Sequence, residues 1–144
     1  MNLIWGIILT LLSGLAYFGQ VVAVFWPHTA SRLGLTESKS DVDPAFYADV
    51  RGEAFWDLFT LWTLPLAGVL MVLNNPLWAY MGIVGGSMYL YFAGRGIVTR
   101  AIMQRRGIRI GASENVKIAY TFLALWGLAA ISTIIMAIAV FATA

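Results

Sequence analysis

Asp49, Glu53 and Asp57 follow one another at intervals of four residues, so on a helix they form one acidic stripe. Carboxyl groups in such a row can hand on a proton, hold an ion, or form the polar end of a ligand pocket. The run Arg51-Gly-Glu-Ala-Phe-Trp-Asp57 opens an otherwise apolar segment. An ionisable side chain at the centre of a membrane span costs roughly 3 kcal/mol, so such a group is paired, functional or both. Arg95 is the expected partner, placed between Glu53 and Asp57, with Asp49 near Arg100. Two acids against one guanidinium leave excess negative charge, to be offset by a proton or by a further base such as Arg51. A charge-complementary hairpin is the plainer account, and a proton or ion relay or the end of a ligand pocket is the functional one.

Other polar groups are few. Gln20 and Tyr17 lie one turn apart in the first apolar run and can add hydrogen bonds to a cavity at mid-depth, or serve helix packing. The six tryptophans form an interfacial belt and bundle filling, and a subset of them with tyrosines such as Tyr91 suits a flat apolar ligand. His28, the single histidine, follows a span and reads as an interfacial side chain. Gly82, Gly85 and Gly86 sit inside a span with no strand before them, which favours close helix packing over a nucleotide loop.

These residues need a scaffold, and composition narrows it. With 60% hydrophobic and 11% charged residues in a chain of 144, too little charge is present to coat a water-soluble domain. The chain is expected in a bilayer as one all-α domain, a bundle of four transmembrane helices. Without cysteine, disulfides, thiolate chemistry, iron–sulfur clusters and Cys-ligated zinc are excluded, and one histidine argues against a bis-His haem. Glu-x-x-His pairs of a di-metal bundle are missing, so no metal is expected.

The spans fall at about 3–26, 54–73, 76–95 and 118–142, each near the length needed to cross roughly 30 Å of hydrocarbon. The N-terminal run has no basic leader and reads as a retained span. Trp26-Pro27-His28 ends the first, and a polar loop from Thr29 leads to Asp43-Pro44, the N-cap and first residue of a helix that continues into the second span. Pro65 predicts a kink. Asn74-Asn75-Pro76 is a tight turn, and the third helix is expected to persist past Arg95 to Gly107. Two straight antiparallel arms about that turn would pair residues whose numbers sum to about 150.

All basic residues lie in two connections: Arg32, Lys39 and Arg51 in one, Arg95, Arg100, Arg105, Arg106, Arg109 and Lys117 in the other. In short loops this places both connections in the cytoplasm and both termini outside, in a multi-pass protein of the plasma or inner membrane. Arg105, Arg106 and Arg109 are suited to anionic lipid headgroups, and the patch is too short for nucleic acid.

Four short spans, Pro27 followed by Leu33-Gly34-Leu35, Arg51-Gly52 opening the second span and Gly94-Arg95 closing the third make the chain resemble the DoxX-like small membrane proteins. The resemblance implies a four-helix bundle that works as an accessory subunit of a larger membrane complex or binds a quinone-like or lipid molecule. It carries no catalytic motif onto any residue here. The residues suggest a non-catalytic binder of an apolar ligand. A small oligomeric proton- or ion-coupled transporter using Glu53 and Asp57 is the alternative, followed by a membrane enzyme acting on a lipid, with a carboxyl as acid or base and Arg95 holding an anionic group.

Overall fold

The structure is a computed structural model that describes residues 2–143. Its helices are α1 (Asn2–Phe25), α2 (Pro27–Arg32), α3 (Pro44–Thr60), α4 (Thr63–Val72), α5 (Trp78–Arg105) and α6 (Ser113–Thr143). Among the described residues there is no strand, only an isolated antiparallel bridge between Val42 and Ile110. The fold is all-α. Three segments, Leu3–Phe25, Pro44–Val72 and Ser113–Thr143, are long and apolar enough to cross a membrane. The 28 residues of α5 reach about 42 Å, but its glycines, tyrosines and arginines make it less apolar than the other three.

The helices run alternately up and down. One end of the bundle gathers the start of α1, the end of α4, the Asn74-Asn75 turn, the start of α5 and the end of α6, where Tyr80 meets Phe141 edge-on at 4.8 Å. The connections 33–43 and 106–112 form the other, charged end, tied by Asp43 N–H to Arg109 O at 2.7 Å.

Local chemistry sets the ends of the elements. The Asp43 carboxylate accepts from Ala45 N–H at 2.8 Å, and Pro44 supplies a first residue with no amide to satisfy. Gly107, at φ +74°, takes the left-handed conformation that lets the chain leave α5. Asn74, at φ +52°, does the same for the turn. At the expected kink Leu61 and Trp62 fall outside both α3 and α4 yet keep right-handed helical dihedrals, one turn before Pro65, so the break is short and the two helices form one segment long enough to cross a membrane. A short helix, α2, stands where a loop was expected, because Pro27 is as good a first helical residue as a terminator.

Large side chains such as Tyr89, Phe46 and Leu64 fill the core, but along parts of α6 and α1 the small residues face inward and the large apolar ones outward. α6 buries Ala129, Ala130, Thr133 and Ala137 and turns Ile131, Ile135 and Ile138 outward. α1 likewise buries Ser13 and Ala16 and exposes Leu11, Leu15 and Phe18. Small residues let backbones approach, and the large apolar ones form a surface suited to hydrocarbon. The closest approaches are at two glycines. A Cβ on Gly68 would lie 2.8 Å from Thr10 N, and one on Gly85 only 2.5 Å from Leu64 N, so neither site admits a side chain.

Candidate functional site

At the charged end α3 leaves α5 and leans on α1. Ala54 packs with Val22, Ala23, Val24 and Ala30, and Arg51 donates from Nη1 to Ala23 O and from Nη2 to Val24 O at 3.4 Å, closing the last carbonyls of α1. Arg51 is therefore a helix cap and stands apart from the acidic stripe. Tyr17 Oη follows the same seam, donating to Leu58 O at 3.5 Å.

α3 meets α5 through Arg100, which stands over the Phe46 ring, and through ion pairs at Arg95. Arg95 Nη2 donates to Asp49 Oδ1 at 2.6 Å, while its Nη1 lies 2.8 Å from Glu53 Oε1 in an ion pair that is not aligned as a hydrogen bond. This corrects the expected register: Arg95 sits between Asp49 and Glu53, not between Glu53 and Asp57. The expected pairing assumed two straight arms packed on each other, whereas α3 packs on α1 through Ala54 and Arg51. Asp57 is left 4% exposed, and its Oδ2 has no hydrogen-bond partner.

Arg100 is not paired with Asp49 either. Its guanidinium stands over the Phe46 ring at 5.4 Å and donates from Nη1 to Gly96 O at 3.2 Å.

The divergence opens a cavity of about 470 Å³ between α1, α3, α5, α6 and the segment 33–37. α1 and α6 are pinned at Trp5 Nε1–Thr133 Oγ1 (3.2 Å) and Trp126 Nε1–Leu12 O (2.8 Å), and the cavity lies on the charged side of the second pin. Phe92, Trp126 and Phe122 form an aromatic wall, with neighbouring ring centroids 5.7 and 5.5 Å apart. Gln20, Glu53, Arg100, Glu37 and Asn115 supply its polar groups. A site of this size, mostly apolar with a few polar groups, can enclose a small amphiphile.

Of the residues singled out from sequence, Glu53 and Gln20 line the cavity. Tyr17, Arg51, Asp57 and Arg95 stand outside its lining, Arg95 one ion pair away through Glu53. Tyr91 is 62% exposed and faces away from the core. Arg105 and Arg106 are exposed at the end of α5, and Arg109, also exposed, donates to Ser40 O at 3.3 Å. Phe92, Phe122, Arg100, Asn115 and Glu37 were not anticipated as lining. No local motif marks them, because they meet only where α1 and α6 part.

Among the described residues no group of three or more His, Asp or Glu side chains stands close enough to hold a metal ion. Comparison with family models, curated proteins and solved structures finds no match to this chain.

Proposed function

We propose that the protein is a non-catalytic, integral membrane bundle of four spans that binds an apolar ligand, lipid or quinone-like, alone or as an accessory subunit of a larger membrane complex or homo-oligomer. The observation that carries this reading is the 470 Å³ cavity with its aromatic wall and polar groups. Among the described residues no activated nucleophile or acid–base pair aimed at a common point accompanies it, which favours binding over catalysis.

Several features support the fourth span and the orientation. α5 lies between α4 and α6, burying Gly82, Gly85, Gly86 and Tyr89, so a bilayer that holds its neighbours holds it too. The basic residues at one end argue for that end in the cytoplasm of a plasma or inner membrane, with both termini outside and Arg105, Arg106 and Arg109 level with anionic headgroups. The DoxX-like resemblance agrees with this reading. An impermeant thiol reagent is expected to label a cysteine appended after Ala144 and to spare one at Ser38. The opposite pattern would reverse the orientation.

Extraction tests the ligand. Protein released gently from its native membrane is expected to retain one apolar species in roughly stoichiometric amount, lost on Phe122→Arg. Recovery of bulk lipid in bulk proportions would remove the binding reading.

A second reading, coupled proton or ion transport in an oligomer, is favoured by one observation: Asp57 is buried with an unpartnered oxygen, one helical turn from a carboxyl on the cavity wall. Proteoliposomes with equal flux for wild type and Glu53→Gln/Asp57→Asn would dismiss it.

A further inference from the structure

The distribution of charge around the cavity narrows the ligand. Glu37 and Glu53 lie on its lining with a single cation, Arg100, among the described residues. That cation stands over the Phe46 ring and donates from Nη1 to Gly96 O, and its buried Nε is left without a partner. Arg95, just outside, is divided between Asp49 and Glu53, and Asp57 adds a third carboxyl to α3 without any base. Arg51, the one basic residue on α3, is turned onto the end of α1. The neighbourhood therefore has more acid than base.

The same cavity is lined by Phe92, Trp126 and Phe122, and the face of an aromatic ring attracts a cation. Two carboxylates and aromatic side chains against one guanidinium favour a cationic head over an anionic one, while Gln20 and Asn115 would serve a neutral head and a charged head equally.

We propose that the cavity takes an amphiphilic organic cation, with an apolar chain or ring ending in an ammonium-type head held between Glu53 and the Phe92–Trp126–Phe122 wall. The proposal rests on the reading of the cavity as a ligand site and specifies its ligand. Small apolar groups on α1, Ala16, Gly19 and Ala23, leave room for the chain, while Glu53 and Gln20 face the head.

Three probes with one tail and different heads separate the alternatives: dodecyltrimethylammonium, dodecanol and dodecyl sulfate. Binding to the full chain in phosphatidylcholine nanodiscs is measured by equilibrium dialysis, below micellar concentrations, and corrected for uptake by empty discs. The ammonium probe is expected to bind saturably, about tenfold more tightly than either of the others. Glu53→Gln is expected to remove most of the preference for the ammonium probe over dodecanol. Phe122→Leu keeps the wall apolar without a ring face and is expected to weaken the ammonium probe about fivefold more than dodecanol. This second variant keeps the test informative if Glu53→Gln fails to fold. Dodecanol or dodecyl sulfate binding as tightly as the ammonium probe would overturn the cationic assignment and leave the ligand-site reading standing. No saturable binding by any probe would overturn both.

Discussion

The two ends of this bundle are held together by different means. Toward the Asn74-Asn75 turn, backbones touch: Gly68 against Thr10 and Gly85 against Leu64 leave no space for a Cβ. Toward the charged end the same helices part, and their separation is bridged by Asp49–Arg95–Glu53, by Arg51 on the end of α1, and by the loop contact from Asp43 to Arg109. The first end is defined by shape, where every approach excludes alternatives. The second combines two small apolar clusters, Phe46 with Val42, Ile110 and Val116 and Ala54 with the end of α1, with a few directional polar contacts beside a cavity. A helix pair can thus be rigid at one end and leave room for a ligand at the other, with Leu61 and Trp62 marking the change on the α3–α4 arm.

The largest effect is expected at the shape-defined end. Gly85→Leu places a side chain against Leu64 N and Cα, where main chain and not a flexible side chain must yield. The cost should be about 3 kcal/mol or more, and the helices α4 and α5 should separate. Unfolding in mixed micelles titrated with SDS measures it. A loss under 1 kcal/mol would mean that the tight end is looser than its geometry, and the contrast between the ends would fail.

Arg95→Leu tests the other end. Breaking an ion pair by deleting one partner costs roughly 3–5 kcal/mol when fully buried. The Arg95 side chain is 28% exposed, so about 2 kcal/mol is expected here. Adding Asp49→Asn and Glu53→Gln removes the stranded charges and should restore more than half of the loss. An unchanged melting temperature for Arg95→Leu alone would show the pair to be a solvated contact, with α3 held by Arg51 and the loops instead.

What could be read from sequence follows the same division. Asp43-Pro44 and Gly107 announce helix ends through their own conformational preferences, and the excess of apolar residues over charge announces apolar helices. The position of Arg95 relative to the stripe was legible only to within a turn. Its partner depends on how far α3 swings, and that is set by contacts of Ala54 and Arg51 with α1, distant in the chain. The aromatic wall was hidden for a related reason. Phe92 on α5 and Phe122 and Trp126 on α6 resemble ordinary bundle filling until α1 is seen to leave their side.

Asp57 carries the smallest expected effect on stability and the most direct bearing on function. It is 4% exposed, its Oδ2 has no hydrogen-bond partner, and Arg95 is already shared between the two carboxyls nearer the charged end. Asparagine has the same shape and no charge to bury, so Asp57→Asn forfeits no observed contact and should leave stability within about 0.5 kcal/mol of wild type. A group kept for structure would behave differently: a carboxylate tied into the Arg95 pair would cost about 2 kcal/mol on neutralisation, as its paired neighbours should. A near-silent Asp57→Asn in the SDS titration thus sets Asp57 apart from Asp49 and Glu53. Proton flux in proteoliposomes then decides what that separation means. A folded variant with lost flux assigns the buried carboxyl to a relay ending at Glu53 on the cavity wall, whereas unchanged flux leaves the cavity as a binding site alone. A destabilisation of 2 kcal/mol or more would place Asp57 inside the charge network and erase the distinction between the paired and unpaired parts of the stripe.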